Sequence, residues 1–134
     1  MDLIVVACGA TKRSQPCLAG EMYTGGFHKA CRRAADVLSG ESGRVMILSA
    51  KYGIIDLDQP IEPYNLRLGR PGSIAPETVR AQVASLGLQS CQVTALAGAD
   101  YVNFLRRVFA DVRAPLAGSK GIGEMQARLA AIYR

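Results

Sequence analysis

The apolar positions of this chain fall in short blocks, some continuous and some spaced as on a helix. Leu3 to Cys8 is an uninterrupted apolar run. Without the alternation of a half-exposed strand, it predicts a parallel strand covered on both faces. Gly9, Ala10, Thr11, Lys12 and Arg13 follow as a small basic loop, and Pro16 to Tyr23 reads as irregular. Thr24 is placed to cap a helix on which Phe27, Ala30, Cys31, Ala34, Ala35 and Leu38 share one face. Gly40 to Gly43 ends that helix, and Val45 to Leu48 predicts a second buried strand. Strand, helix and strand together make a right-handed βαβ unit.

The pattern then breaks. From Ser49 to Arg70 the chain carries prolines at 60 and 63 and glycines at 53 and 69, which exclude a regular helix. Its apolar anchors (Ile54, Ile55, Leu57, Ile61, Tyr64, Leu66) distinguish it from a disordered linker and predict a long functional loop. Ser73 to Thr78 holds a helix start, with Pro76 and Glu77 suited to the first turn and Val79, Val83 and Leu86 as the buried stripe. Gln92 to Ala97 is a third strand ending in Gly98. Asp100 to Phe109 is a helix with Tyr101, Leu105 and Val108 on its apolar face. Val112 to Leu116 is a short fourth strand whose Pro115 puts it near an edge. Ala117 to Gly121 is a loop, and the last helix, Ile122 to Tyr133, turns Ile122, Met125, Leu129 and Ile132 inward.

Strands alternating with helices predict an α/β fold: a three-layer α/β/α sandwich on a mostly parallel four-stranded sheet. The loops after Cys8, Ser49, Ala97 and Leu116 then converge at one sheet edge, where open α/β sheets bind ligands beside a topological switch point. Composition narrows this further. With 134 residues, 49% hydrophobic and 20% charged, the chain is expected to form a single globular domain over residues 1–134. No basic leader or membrane-spanning run is read at its start, and the four dispersed cysteines fit reduced thiols, so a cytoplasmic location is expected. A net charge of +5 favours an anionic partner such as nucleic acid or a nucleotide, with mild basicity for solubility as the alternative.

Candidate chemistry gathers at the strand ends. Gly9 with Lys12 and Arg13, and the run Gly118 to Gly123 with Lys120 and Gly121, each offer backbone amides and a cation for a phosphate. For the first the alternative is an ordinary tight turn with solvated basic residues; for the second it is a flexible loop whose glycines permit close helix packing, which is slightly favoured. Tyr52 and Tyr64 suit stacking on a base, with Tyr64 packing down as an anchor as the alternative. Glu62, between Ile61 and Pro63, has no turn role and could orient water or steady a sugar cation. Asp56 and Asp58 read as an Asx-type turn. Cys8 is either a strand-end nucleophile or a small buried filler, the second being favoured. Cys8, Cys17, His28 and Cys31 lack the spacing of a zinc site, so neither a metal nor another cofactor is expected. His28, the only histidine, reads as a surface or internally satisfied residue.

The run Ser49 to Gly69, SAKYGIIDLDQPIEPYNLRLG, resembles a passage of the YaaA peroxide-stress family. It resembles more closely a group of small bacterial and phage domains of unassigned function. Their features stand here as Cys8-Gly9, Tyr23-Thr24-Gly25, Ser49 to Gly53, Glu62 to Tyr64, Leu96 to Gly98 with Tyr101, and Pro115 to Gly118 with Gly121 and Gly123. The resemblance implies a uracil-DNA-glycosylase-like fold, akin to the module beside archaeosine-type tRNA-guanine transglycosylases, and contact with nucleic acid or a modified base.

The leading expectation is therefore a domain that recognises a base, natural or modified, and acts at its N-glycosidic bond as a DNA-glycosylase-like hydrolase. DNA stands ahead of RNA as the partner, and no membrane partner is expected. Glu62 is the expected catalytic residue. The expected binding residues are Cys8, Gly9, Lys12, Tyr23, Ser49, Lys51, Tyr52, Gly53, Tyr64, Arg67, Gly98, Gly118, Lys120 and Gly121. A non-catalytic DNA- or RNA-binding module of YaaA type and a hydrolase of free nucleotides or nucleosides are the alternatives.

Overall fold

Alternate residues of the first apolar run feed two separate cores, which explains why that run has no polar positions. The structure, a computed structural model, describes residues 2–134. In chain order its elements are β1 (Asp2–Ala7), β2 (Cys17–Leu18), α1 (Ala19–Met22), α2 (Gly26–Ser39), β3 (Arg44–Ser49), β4 (Gly53–Asp56), β5 (Pro60–Ile61), α3 (Pro76–Ser85), β6 (Gln92–Leu96), α4 (Ala99–Arg106), β7 (Val112–Arg113) and α5 (Ile122–Tyr133). Five strands form one sheet in the order β4-β3-β1-β6-β7, and β2 and β5 form a separate two-stranded antiparallel pair. All neighbours in the large sheet are parallel except β3 and β4.

Leu3 and Val5 of β1 pack with Val79 and Val83 of α3 and Val102 and Leu105 of α4. Ile4 and Val6 pack with Ala19 and Met22 of α1, Cys31, Ala34 and Ala35 of α2, and Leu129 of α5. The strand is buried from both sides, as a parallel central strand must be.

The sheet has five strands where the sequence pattern predicts four. The missed strand is β4, inside the stretch read as one long loop. It folds back on β3 in an antiparallel hairpin, with Ser49 opposite Gly53 and Ile47 opposite Ile55. Gly53 sits at φ +83°, and a Cβ there would collide with the Gln82 side chain. Gln82 brackets the hairpin: its amide donates to the Tyr52 carbonyl and its carbonyl accepts from Ile54 N, both at 2.9 Å. The glycine that looks like a strand breaker is the residue the hairpin turn needs.

Other expectations also change. Thr24 does not cap α2; its backbone N–H is bonded to the Thr11 carbonyl, in the bridge that joins Lys12 to Tyr23, so the helix starts one residue later, from Gly25. Pro16 to Tyr23 is not irregular throughout, because it contains β2 and α1. Asp56 forms no Asx turn. Its carboxylate accepts three hydrogen bonds from Arg44 on the paired strand, at 2.8–3.1 Å. Leu38, Leu86 and Ile122, expected to face inward, are 40–52% exposed. All three stand at helix ends, where the apolar stripe runs past the residues it could pack on. The expected start of α3 at Pro76 and the edge position of β7 match the structure.

Candidate functional site

β1 and β6 are parallel neighbours, but the chain leaves them in opposite directions. From β1 it passes through α2 to β3 on one side, and from β6 through α4 to β7 on the other. The crevice between two such strand ends is where this class of sheet opens. A cavity of about 510 Å³ lies there, lined by Ala7 to Thr11 after β1, Gly25 to His28 and Cys31 from α2, and Gly98 to Tyr101 at the start of α4. The N-termini of both α2 and α4 therefore border it. Neither has a side-chain cap. Unsatisfied first-turn amides and the helix dipoles make this wall electropositive, with the Asp100 carboxylate in the first turn of α4 opposing them.

Beside the cavity runs a chain of hydroxyls. Ser49 is fully buried, and its Oγ accepts the backbone N–H groups of Lys51 at 3.2 Å and Tyr52 at 3.0 Å. With both lone pairs used, the serine proton goes to the Tyr64 oxygen, 2.7 Å away. Tyr64 in turn donates to Tyr23 at 2.6 Å. Burial pushes the Tyr23 phenol up to about 12 and raises Tyr64 further, so both keep their protons at neutral pH. Lys12 lies over this pair, its Nζ 4.5 Å from the Tyr64 ring centre and 5.9 Å from that of Tyr23. Cys8 Sγ is 3.2 Å from the Tyr101 hydroxyl. Burial raises the Tyr101 phenol too, with Arg67 opposing.

His28 forms part of the cavity wall and is 4% exposed. Its Nδ1–H donates to the Ala7 carbonyl at 2.8 Å, which leaves Nε2 as an acceptor with no partner. Burial lowers its affinity for a proton below the ordinary value of 6.5 despite that bond, so the ring is neutral at pH 7.

The expected site residues thus divide. Cys8, Gly9 and Gly98 line the cavity. Lys12, Tyr23, Ser49 and Tyr64 form the network beside it. Lys51, Tyr52 and Gly53 make the hairpin tip, with Lys51 Nζ 5.3 Å from the Tyr52 ring. Tyr52 meets Tyr64 edge-on at 5.7 Å but lines a different groove, against α3. Arg67 is exposed. Gly118 lines a smaller neighbouring cavity of about 250 Å³ that shares Gly98 and Ala99 with the first. Lys120 and Gly121 lead into α5, where the Lys120 amide donates to the Glu124 carboxylate at 3.1 Å. Glu62 is exposed; its backbone N–H donates to the Tyr52 hydroxyl at 3.2 Å, and its carboxylate makes no hydrogen bond among the described residues.

Sequence reasoning passed over Thr11, Phe27, His28 and Asp100 as site residues, and noted Tyr101 only through the resemblance. The Gly25-Gly26 pair and Gly98-Ala99 were the usable signals, since small residues opening a helix allow close approach of a ligand. No cluster of three or more His, Cys, Asp or Glu side chains among the described residues could hold a metal ion. The four cysteines are free, and burial pushes the Cys31 thiol up to about 12, so it stays a thiol.

Fold and cavity together define an α/β protein whose mostly parallel sheet opens a cavity at its switch point. The chain belongs to the DUF6884 family, a family of unknown function, matched over residues 3–131. No curated protein matches it. No helix among the described residues is long and apolar enough to cross a membrane.

Proposed function

We propose that this is a nucleic-acid-processing domain that receives a base, natural or modified, in the switch-point cavity and acts at its N-glycosidic bond. Helices on both sides of the sheet fit a three-layer α/β/α arrangement of the uracil-DNA-glycosylase-like kind, and the likeness to YaaA-type sequences belongs to the same reading. The observation that carries it is the convergence of two uncapped helix N-termini, the aromatic residues Phe27 and Tyr101, and the Asp100 carboxylate on one cavity of about 510 Å³. That volume is in the range of small-ligand sites.

The chemistry follows from where charge develops. As the C1′–N bond breaks, its electron pair leaves with the base and positive charge grows on the sugar. Helix amides at the cavity wall stabilise the departing base, as fixed donors do for any developing anion. A carboxylate at the rim steadies the sugar cation and orients the water whose oxygen bonds to C1′, while the water's proton passes to the base. Asp100 is the carboxylate in the lining, and Glu62, outside the lining, is the second candidate. On duplex DNA the base would have to be extruded.

The test is release of free base from single-stranded and duplex oligonucleotides carrying modified bases, read by mass spectrometry. We expect Asp100→Asn to slow release by about 100-fold or more and Glu62→Gln to change it little. Equal rates for wild type and both variants would remove the carboxylates from the mechanism.

One observation favours a second reading. Both carboxylates are exposed, whereas a charge that stabilises a developing cation is far more effective in a water-excluded site. A non-catalytic DNA- or RNA-binding module would then release no base from any substrate while binding oligonucleotides with a steep salt dependence.

A further inference from the structure

The two small-residue loops that the sequence offers for phosphate are both partly occupied by the protein. Lys12 lies against the tyrosines, and the Lys120 amide is bonded to Glu124. The cation surplus lies elsewhere. A groove of about 510 Å³ between the first loop, α1 and α2 is lined by Arg13, Lys29, Arg32 and Arg33, with Glu21 as its single carboxylate. The groove therefore concentrates three of the chain's five net positive charges.

What distinguishes the groove is density. On the rest of the surface Arg44 pairs with Asp56, Arg80 and Arg107 with Glu77, and Arg128 with Glu124, while others such as Arg67, Arg70, Arg106 and Arg113 have no ion pair among the described residues. The switch-point cavity and its smaller neighbour, however, hold one arginine between them, Arg106. Within the groove the one ion pair, Arg13 to Glu21, spans 3.9 Å with both side chains more than half exposed. Lys29 is exposed and has no ion pair or hydrogen bond among the described residues. The Arg33 guanidinium stacks on Tyr133, 4.1 Å from the ring centre, a geometry that leaves its in-plane N–H groups available. Arg32 gives one N–H to the Gly20 carbonyl, and its buried Nε has no partner.

The groove also has an address. His28 lines both it and the switch-point cavity, so one neutral side chain separates them. We infer that the groove carries the phosphate backbone of a nucleic acid strand, so that the cavity takes its base as part of a polymer and not as a free nucleotide. This inference rests on the base-binding reading of the cavity and moves the phosphate contact from the glycine loops to α2.

The experiment is fluorescence anisotropy with a labelled single-stranded DNA 20-mer over a series of KCl concentrations, with a 5′-mononucleotide as competitor. Wild type is expected to bind with log K falling against log salt at about −0.7 per phosphate neutralised, and the mononucleotide to compete only weakly. Lys29→Gln/Arg33→Gln should weaken binding about tenfold or more and make the slope shallower by about 1.4, two phosphate contacts at about 0.7 each. Lys29→Glu alone, at an exposed unpaired position, should weaken it in the same direction without disturbing the Tyr133 contact. Arg113→Glu, on the edge strand β7, lowers the net charge by the same two units and should bind as wild type. If wild type binds but the Lys29 variants match the control, the groove is not the phosphate track, and the cavity reading stands. Equal affinity for mononucleotide and 20-mer would likewise overturn the inference alone. Failure of wild type to bind any oligonucleotide would overturn both.

Discussion

Residues 8–13 and 118–123 look alike as text: each follows a strand, is rich in small residues and contains a lysine. Their surroundings differ. The first loop opens on the switch-point cavity between two uncapped helix N-termini, with its lysine laid over two buried tyrosines. The second leads into α5, where Glu124 binds the Lys120 amide and Arg128 holds Glu124 at 2.9 Å while also donating to the Ala117 carbonyl at 2.7 Å. One glycine-rich loop presents its helix ends to a cavity; the other has a carboxylate of its own chain where an anion would sit. Glycine and lysine supply the potential for anion binding, and what the neighbouring elements bring decides whether it is used.

Disrupting the first region should cost far more than disrupting the second. Tyr64→Phe keeps the ring but leaves the buried Ser49 hydroxyl without its acceptor and Tyr23 without its donor. Denaturant unfolding should show a loss of about 2 kcal/mol or more, since each buried group left unsatisfied costs about 1–3 kcal/mol. A loss no larger than that of a surface substitution would mean that the hydroxyl chain does not hold the hairpin tip to the cavity wall.

A smaller effect should appear with pH. His28 is the only histidine, and its proton affinity is lowered in the folded protein by burial. Below about pH 6.5 the unfolded chain binds a proton that the folded chain refuses, so stability falls as pH drops, by at most about 1.4 kcal/mol per unit. His28→Asn retains a donor for the Ala7 carbonyl and removes the titration. Melting temperatures between pH 7.5 and 5.5 should therefore decline less in the variant. Parallel curves would show that the ring is not held neutral.

The smallest effect belongs to the second loop. Glu124→Gln weakens the link to Arg128, half-exposed on both sides, and should cost about 0.3–0.5 kcal/mol, as for other pairs one helical turn apart. A loss matching that of Tyr64→Phe would erase the contrast between the two loops.

Much of this was legible because strands buried on both faces announce themselves. β1 is continuous apolar sequence, and from it follow the parallel sheet, the strand-end loops and the placement of Cys8, Gly9 and Gly98. The hairpin strand β4 was hidden by its own turn residue, because Gly53 reads as a breaker until Gln82 is seen against it. Asp100, Tyr101 and His28 were hidden for the opposite reason. They fit a helix so well that nothing in the spacing marks them as cavity walls. Glu62 stood out between Ile61 and Pro63, yet Ile61 is buried at 3% exposure in β5, and in extended chain the next side chain faces the other way.

In the proposed function the crevice between β1 and β6, and not the glycine loop before α5, receives the ligand. Amide chemical shifts of the ¹⁵N-labelled chain, followed during titration with a single-stranded DNA 20-mer, test this without any substitution. Gly9, Gly26 and Gly98 are expected to shift together while Gly121 and Gly123 stay in place. Shifts centred on Gly121 and Gly123, with the amides at the switch point unmoved, would contradict it.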